Sequence, residues 1–420
     1  MYDSGTTSFM AVCTMLVFLM TPALAFFYGG LSRRKNVVNT MIMAFSSLGL
    51  VGVLWVVAGW SIAYGGDGSS PFVGGLNQLF CPDVLSEALV GAVDDAAYPG
   101  IVDVAFQLAF CAITVTIITG AVAGRMKFSA VLAFVAVWCL AVYAPLAHMV
   151  WGGDGSFIGG MIGALDFAGG DVVHISSGLT GLILCLLLGK RRGFGLMAYR
   201  PHNVPFVLLG TGLLWFGWFG FNAGSAFAAD AVAALSLINT MVAPAAAMLA
   251  WMLVERIHAG KVTLVGACTG ALAGLVAITP AAGFVDLWAA AVMGAITAPV
   301  CYAAIAFLKP RLGYDDALDA FGCHGIGGIV GGLLTGVFCV PELSWTGVGG
   351  LLYTGDFSLL ASQAAGIAVT IIYVVVLSTA IGFVVKALFG GLRVSIAEEN
   401  EGLDSRQHGE SAYPSFNGLD

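Results

Sequence analysis

The chain has 420 residues, of which 59% are hydrophobic and only 10% are charged, with a formal net charge of −8. Soluble domains carry about 25% charged residues, so this composition, with a mean hydropathy of +0.95, excludes a soluble globular domain. It indicates an integral membrane protein.

Eleven apolar runs are long enough to cross a bilayer, because a hydrocarbon core about 30 Å thick requires roughly 20 residues of helix. They cover approximately residues 8–29, 38–64, 101–123, 128–150, 169–189, 203–227, 231–254, 262–283, 285–308, 321–340 and 360–389. The first run follows MYDSGTTS, which lacks the basic segment of a signal peptide. We therefore predict a retained first span, although the ALA at 23–25 leaves cleavage open.

The basic residues predict the orientation of these spans, since Lys and Arg accumulate in short cytoplasmic loops. All sixteen fall on one side of this eleven-span arrangement, in the loops after odd-numbered spans and in the C-terminal tail. The alternate loops carry acids instead; the loop 65–100 holds Asp67, Asp83, Glu87, Asp94 and Asp95. The sequence thus predicts an N-terminus outside and a C-terminus inside.

Cysteine and glycine usage indicates packing and not chemistry. Of nine cysteines, only Cys81 lies plainly in an outer loop, and the others lie in or beside apolar spans, where they behave as small apolar residues. Many of the 58 glycines lie inside spans, as expected where membrane helices approach closely.

Two spans share a pattern that indicates an internal repeat. The fifth contains HISSGLTG and the tenth HGIGGIVG, so that glycines follow His174 and His324 at the same offsets of four and seven residues. An acid precedes each histidine, Asp166 in one case and Asp319 in the other. Since the two spans run in opposite directions, we predict two inverted five-helix halves plus a final helix, an organisation found in transporters and channels.

Histidine inside a membrane is costly and usually faces a pathway or a partner. His174 and His324 are therefore candidate functional residues. His148 lies near the outer end of the fourth span, where we expect a structural role, and His202, His258 and His408 are expected on the cytoplasmic surface.

Two acids, Asp166 and Asp171, precede His174 in DFAGGDVVHISSGLTGL. Carboxylates near a helix N-terminus are stabilised by free N–H groups and the helix dipole, which explains part of their presence. No Lys or Arg lies near Asp166 in the sequence, so we expect it to be buried with hydrogen-bond donors or to face an aqueous vestibule, and in either case to favour cations there.

That stretch resembles the characteristic motif of the ammonium transporter family (Amt/MEP/Rh), and the resemblance extends along nearly the whole chain. The matching stretches are FFYGGLSRRKN (26–36), VAFQLAFCAIT (104–114), AHMVWGG (147–153), WFGFNAGSA (218–226), DDALDAFGCHGIGGIVGGLLTG (315–336) and EGLDSRQHGESAY (401–413).

The resemblance implies an eleven-helix protomer in a homotrimer with one narrow pore per subunit. Carried over by motif, Phe110, Trp151 and Ser225 would bind external ammonium, Phe110 and Phe221 would stack as a gate, His174 and His324 would form a hydrogen-bonded proton relay, and Asp166 would be the supporting carboxylate. One departure is Asp171, where bacterial relatives usually have threonine. Because it precedes His174 by three residues, we expect it on the same helical face, where it would alter substrate access or local protonation.

The chemistry of ammonium agrees with those roles. Its positive charge and four N–H donors suit an aromatic face and a hydroxyl, and its ability to release a proton avoids the tens of kcal/mol that a bare cation would cost in an apolar pore. Potassium and sodium cannot release a proton. We therefore predict an ammonium transporter of the plasma membrane, with separate proton transfer and electrogenic net transport.

Two other classes remain as alternatives. An ammonium sensor is one, although only about 26 residues follow the last span region. A metal-dependent membrane enzyme is another, but it needs further ligands, and neither histidine motif supplies an obvious set of carboxylates and cysteines beyond Cys323. We predict residues 1–394 as the transport domain and 395–420 as a cytoplasmic regulatory tail that binds a trimeric PII-type protein. Membrane lipids are the other expected partner; no cofactor, catalytic residue, metal or nucleic acid is expected.

Overall fold

The computed structural model describes residues 2–66, 70–90, 97–196 and 199–414. In this part of the chain the regular secondary structure is helical, apart from one isolated bridge between Met126 and Arg393. Of the acids expected in the loop 65–100, Asp67, Asp94 and Asp95 lie outside the described residues.

Eleven helices within the described ranges are long and apolar enough to cross a membrane. They are α1 (Ser4–Leu31), α2 (Arg34–Tyr64), α3 (Gly100–Val122), α4 (Phe128–Trp151), α5 (Gly170–Leu188), α6 (Val204–Gly224), α7 (Ala231–Ala259), α8 (Leu264–Ala281), α9 (Leu287–Leu312), α10 (Phe321–Phe338) and α11 (Ser358–Leu388). The largest difference from the expected limits is at the end of α7, Ala259 instead of 254. The prediction of an all-α protein with eleven spans is confirmed.

Close packing of α1 against α6 depends on glycines along one face of α6. A Cβ on Gly210 would lie 2.4 Å from the backbone nitrogen of Phe27, and one on Gly217 would lie 2.3 Å from Cγ of Met20. As the residue number increases along α6, the contacted residue number on α1 decreases, so the two helices are antiparallel. α1 continues through the possible cleavage site at 23–25, whose three residues are buried.

The helices α5 and α10 cross each other, and each contributes a glycine at the point of closest approach. A Cβ on Gly178 of α5 would lie 2.3 Å from the backbone nitrogen of Gly325, and one on Gly328 of α10 would lie 3.2 Å from Cβ of His174. Both helices begin with a π turn, Gly170–Ile175 in α5 and Phe321–Gly325 in α10. The glycine four residues after each histidine is thus the point where the other helix passes, as an inverted repeat requires.

The acid before α10 that corresponds to Asp166 is Asp316, and not Asp319, the acid that the sequence analysis matched to it. Asp316 precedes His324 by eight residues, as Asp166 precedes His174, and its Oδ2 accepts a hydrogen bond from the backbone N–H of Phe321 at 2.7 Å. Asp319 instead forms an ion pair with Lys309, at 2.5 Å. Asp319 occupies a left-handed backbone position (φ 60°), as does Gly169 (φ 121°) at the same place before α5.

The loops that carry the basic residues meet on one face of the molecule, which we call the basic face. Buried Arg125 donates to the backbone oxygens of Gly189 and Asp315, and Arg191 forms a two-point ion pair with the Asp315 carboxylate. Lys127 donates to the carbonyl of Phe389 at the end of α11. These bonds join four separate loops of the chain.

All nine cysteines are buried as free thiols, Cys81 included, which confirms the expected packing role.

Candidate functional site

A cavity of about 450 Å³ opens on the face opposite the basic loops, and we call it the mouth cavity. Among the described residues, it is lined by the ends of α2, α3, α4 and α6 with adjoining residues, by the segment between α4 and α5, and by Trp345 and Thr346. The lining contains three carboxylates but no Lys or Arg. The charged and polar lining residues are Tyr64, Tyr98, Asp103, Gln107, Asp154, Asp166, Ser225 and Thr346. The cavity therefore favours cations.

At the floor of the mouth cavity the structure brings together Phe110, Trp151 and Ser225. Phe110 and Trp151 meet edge to face with ring centroids 6.2 Å apart. The Ser225 hydroxyl donates to the Phe221 carbonyl at 2.9 Å, which leaves its oxygen lone pairs available as acceptors on the cavity side. Two aromatic rings and one hydroxyl oxygen thus surround the same space.

Asp166 organises this floor through both its backbone and its carboxylate. Its carbonyl accepts from Nε1 of Trp151 at 2.8 Å and so fixes the indole ring. Its Oδ1 accepts from the N–H groups of Gly169 and Gly170 at 2.7 and 2.6 Å, and its Oδ2 from those of Asp171 and Val172 at 2.9 and 3.4 Å. The side chain is only 2% exposed. Asp166 is therefore buried with hydrogen-bond donors, the first of the two environments expected from the sequence, and it caps α5.

Two phenylalanines separate the mouth cavity from the interior. The rings of Phe110 on α3 and Phe221 on α6 stack with centroids 4.0 Å apart and an angle of 16° between planes. Both side chains are almost fully buried. A molecule that leaves the mouth cavity towards the interior must displace this pair.

Beneath the stacked rings lies the histidine cavity, lined by His174, His324, Trp218, Phe221 and seven aliphatic residues of the described chain. The Nδ1 atoms of His174 and His324 lie 3.2 Å apart, so one donates and the other accepts. The Nε2 of His174 is buried and has no hydrogen-bond partner among the described residues. The volume of this cavity that the centre of a water molecule can occupy is about 10 Å³. This is roughly the space for one small molecule.

The path continues towards the basic face. His324 and Leu272 line both the histidine cavity and a third cavity of about 60 Å³, which also borders Phe27, Leu31 and Asp319. Three cavities in sequence, with the phenylalanine pair and the histidine pair between them, thus trace one route through the protomer.

The expectation for Asp171 is wrong. Among the described residues, Asp171 lines neither the mouth cavity nor the histidine cavity. The first turn of α5 is a π turn, with hydrogen bonds from i to i+5, so residues three apart no longer share a face as in an α-helix. Asp171 and His174 therefore do not share the helical face on which the sequence placed them.

The remaining histidines have structural contacts. The ring nitrogens of His148 lie 2.7 and 2.8 Å from the carbonyl oxygens of Ala63 and Ser70, so this residue holds the outer loop as expected. His258 is exposed, also as expected. His202 and His408 are partly buried, because they contact Tyr413 and Asn39 respectively where the tail packs on the protein.

Sequence reasoning missed two groups of lining residues. Trp218 stacks on His174 with centroids 5.4 Å apart and donates to the Thr279 hydroxyl at 2.9 Å, so it orients one wall of the histidine cavity. Asp103 and Gln107 line the mouth cavity on α3. A polar residue within the apolar run of α3 was the signal that could have identified Gln107.

Within the described ranges, no group of three or more His, Cys, Asp or Glu side chains is arranged to hold a metal ion.

These features define a class of protein: an eleven-span membrane transporter with a cation-favouring mouth and a narrow apolar pore. The model of the Ammonium Transporter Family matches residues 8–413, and the chain belongs to that family. It is 50% identical to the ammonium transporter of Aquifex aeolicus over 412 residues, which cover 98% of this chain and 94% of that protein.

Solved structures agree. The crystal structure of Saccharomyces cerevisiae Mep2 superimposes with a TM-score of 0.88 at 33% identity, covering 100% of this chain and 93% of that one. A structure described as a sensor Amt protein gives a TM-score of 0.86 at 27% identity, covering 96% and 98% respectively. The protein is a multi-pass ammonium transporter of the cell membrane.

Proposed function

We propose that this protein recruits ammonium in the mouth cavity, deprotonates it at the phenylalanine gate, conducts ammonia past the histidine pair and carries the proton separately, so that net transport is electrogenic. The observation that carries this proposal is the hydrogen-bonded pair His174–His324, placed directly beneath two stacked rings in an otherwise apolar path.

Recruitment is assigned to Phe110, Trp151 and Ser225. A cation is attracted to the face of an aromatic ring, and the Ser225 oxygen accepts one ammonium N–H. The carboxylate of Asp166 adds a negative field without an exposed ion pair, because its oxygens are already committed to backbone N–H groups. Binding of this kind is weak enough to permit release.

Selectivity follows from the cost of desolvation. A cation that crossed the histidine cavity intact would lose its water in an apolar space, at an idealised cost of tens of kcal/mol. Ammonium escapes this cost by transferring its proton to the histidine pair, and a metal cation has no such option. The size of the histidine cavity suits one ammonia molecule.

The proton then requires a carrier across the same apolar region. Imidazole accepts a proton on one nitrogen and releases one from the other, and it does so near neutral pH in water. The Nε2 of His174 is buried without a hydrogen-bond partner among the described residues, and its Nδ1 contacts His324, which borders the next cavity. The two rings thus connect the gate with the exit.

Currents from protein reconstituted in liposomes test this function. We expect ammonium gradients to produce a current and potassium gradients to produce none above the protein-free control. The current under a methylammonium gradient is measured for comparison. A potassium current equal to the ammonium current would contradict the deprotonation mechanism, because only a bare-cation pathway carries both.

We assign the basic face to the cytoplasm, with the N-terminus outside and the C-terminus inside, because all sixteen Lys and Arg lie on that side. We propose residues 1–394 as the transport domain and 395–420 as a regulatory tail, within a homotrimer.

Contacts of the tail support a regulatory role. Asp404 accepts from the N–H of Asn39 in the first turns of α2 at 2.8 Å, and Leu403 donates to Asn36 at 2.9 Å. Glu399 forms an ion pair with Arg393 at 2.6 Å, and Lys35 donates to the carbonyl of Asn400. We infer that this tail couples neighbouring subunits and helps a PII-type protein to close the cytoplasmic exits.

Deletion of Glu401 to Asp420 tests the tail. The trimer should remain intact by size exclusion, while transport or its inhibition by a PII-type protein is impaired. Unchanged activity together with unchanged inhibition would refute the role of the tail.

An ammonium sensor is the second candidate, favoured by the likeness to the sensor Amt protein. The liposome measurement separates the two: a sensor that does not conduct would bind ammonium without producing current.

A further inference from the structure

The mouth cavity contains polar atoms that the recruitment site does not use. The carboxylate oxygen Oδ1 of Asp103, the amide oxygen Oε1 of Gln107 and the hydroxyl of Tyr64 are each buried without a hydrogen-bond partner among the described residues, and all three residues line this cavity. Gln107 is only 5% exposed. A buried polar atom without a partner costs about 1–3 kcal/mol, which favours a ligand that can supply donors.

These atoms are arranged in order along one face of α3. Asp103 and Gln107 are four residues apart and Phe110 follows three residues later, so the three side chains share one face of the helix. Along the helix axis, Gln107 lies about 6 Å and Phe110 about 10 Å from Asp103. The first turn of α3 is anchored, because Glu87 accepts from the N–H of Gly100 at 2.9 Å and Trp55 donates to the carbonyl of Val104 at 3.2 Å. We call Asp103 and Gln107 the polar stripe of α3; it leads from the end of the helix to the gate.

Charge decides which ligand this stripe suits. The mouth cavity is lined by Asp103, Asp154 and Asp166 and by no described Lys or Arg. Asp166 has both oxygens occupied by backbone N–H groups, whereas Asp103 keeps Oδ1 uncommitted. A small cation with several N–H donors can bind a carboxylate, an amide oxygen and a hydroxyl oxygen at once.

We propose that Asp103 and Gln107, with the Tyr64 hydroxyl, form a second ammonium subsite in the mouth cavity, one to two helical turns before the aromatic site at Phe110 and Trp151. Ammonium exchanges part of its water for these oxygens first and then moves down α3 to the aromatic rings. The subsite raises the local concentration of substrate and so determines the ammonium concentration at which transport is half-maximal. This inference rests on the proposed transport function.

Four variants test the subsite in reconstituted trimers. Asp103→Asn removes the charge with little change in volume, Gln107→Leu removes the amide oxygen, and Asp103→Glu keeps the charge. Glu342→Gln is the matched control, because Glu342 is an exposed acid that does not line the mouth cavity. Size exclusion and thermal unfolding establish that each variant is folded.

The readout is the ammonium current as a function of ammonium concentration, at low salt and in about 0.5 M choline chloride, where the Debye length falls below about 5 Å. We expect Asp103→Asn to raise the half-saturating concentration about tenfold, the effect of losing one charge-assisted hydrogen bond, with little change in the maximal current. Gln107→Leu should act in the same direction, Asp103→Glu should recover most of the loss, and all shifts should persist at high salt.

A wild-type-like half-saturating concentration in Asp103→Asn would overturn the subsite. So would a shift that Glu342→Gln reproduces and that high salt abolishes, because it would show only a long-range field. Failure of the transport function itself would look different, since the wild-type protein would then produce no ammonium-selective current.

Discussion

Replacing Asp166 with asparagine tests how this one side chain holds the mouth of the pore. In the wild-type protein Oδ1 and Oδ2 each accept from two backbone N–H groups at the start of α5. In Asp166→Asn one oxygen becomes an NH₂ group, which cannot accept, so two buried N–H groups lose their acceptor. At about 1–3 kcal/mol each, the variant should lose about 2–6 kcal/mol of stability.

Asp230→Asn is the matched control. Asp230 caps α7 with a single bond from the N–H of Ala233 at 2.9 Å, and it is exposed. Asparagine caps helices about as well as aspartate, so the control should change stability by less than about 0.5 kcal/mol.

The assay is thermal unfolding of the purified protein followed by intrinsic fluorescence, with the ammonium current measured in parallel. Asp166→Asn should melt clearly below both the wild-type protein and Asp230→Asn. Its current should fall because the weakened cap loosens the backbone at residue 166, whose carbonyl holds Trp151. Equal melting temperatures for the two variants would refute the view that the Asp166 carboxylate is the cap of α5.

Two further predictions concern the gate and the basic face. Phe221→Ala should join the mouth cavity to the histidine cavity, cost about 3–5 kcal/mol of stability and admit water or potassium, measured as liposome swelling and cation current; tight, selective vesicles would contradict the gate. Burial raises the pKa of Asp315, but the hydrogen bonds and charge of Arg191 and the charge of Arg125 outweigh it and leave the pKa lowered. This stabilisation is therefore present above about pH 4 and is lost as the pH falls through the lower folded-state pKa, so the wild-type melting temperature should drop steeply there. Asp315→Asn should melt lower at pH 7 and show a shallower drop; a variant with the wild-type profile would exclude this ion pair as its cause.

The eleven spans were predictable because the length of an apolar run and the thickness of a bilayer are both set by simple geometry. The ends of α1 and α7 differ from expectation by a few residues, since a helix continues beyond the bilayer wherever its backbone can be capped. The histidine pair could also be predicted from the sequence, because an ionisable residue at matching positions of two apolar spans has few structural explanations.

Local backbone geometry accounts for the errors. The stretch DDALDAF offers three acids, and the sequence marks neither the left-handed conformation of Asp319 nor the hydrogen bond from the N–H of Phe321 to Asp316. The π turn at the start of α5 removes Asp171 from the face of His174, and no periodicity in the sequence marks this turn. Trp218 was missed because an aromatic residue in an apolar span resembles ordinary packing until its stacking on His174 is seen.

The central claim is that ammonium crosses as ammonia while the histidine pair carries the proton. If His174 served only in packing, a leucine would cost about one hydrogen bond, roughly 1 kcal/mol, and transport would persist. In the double variant, which combines His174→Leu and His324→Leu, the path retains its apolar walls. No titratable group then remains to carry a proton across the histidine cavity. Each single variant should lose much of the current or begin to admit other cations.

The most direct measurement is solid-supported-membrane electrophysiology on reconstituted trimers of the double variant, with integrity checked by size exclusion. We predict a folded trimer that has lost its ammonium-driven current. A double variant that keeps the wild-type current and its selectivity against potassium would contradict the proton relay and with it this account of the pore.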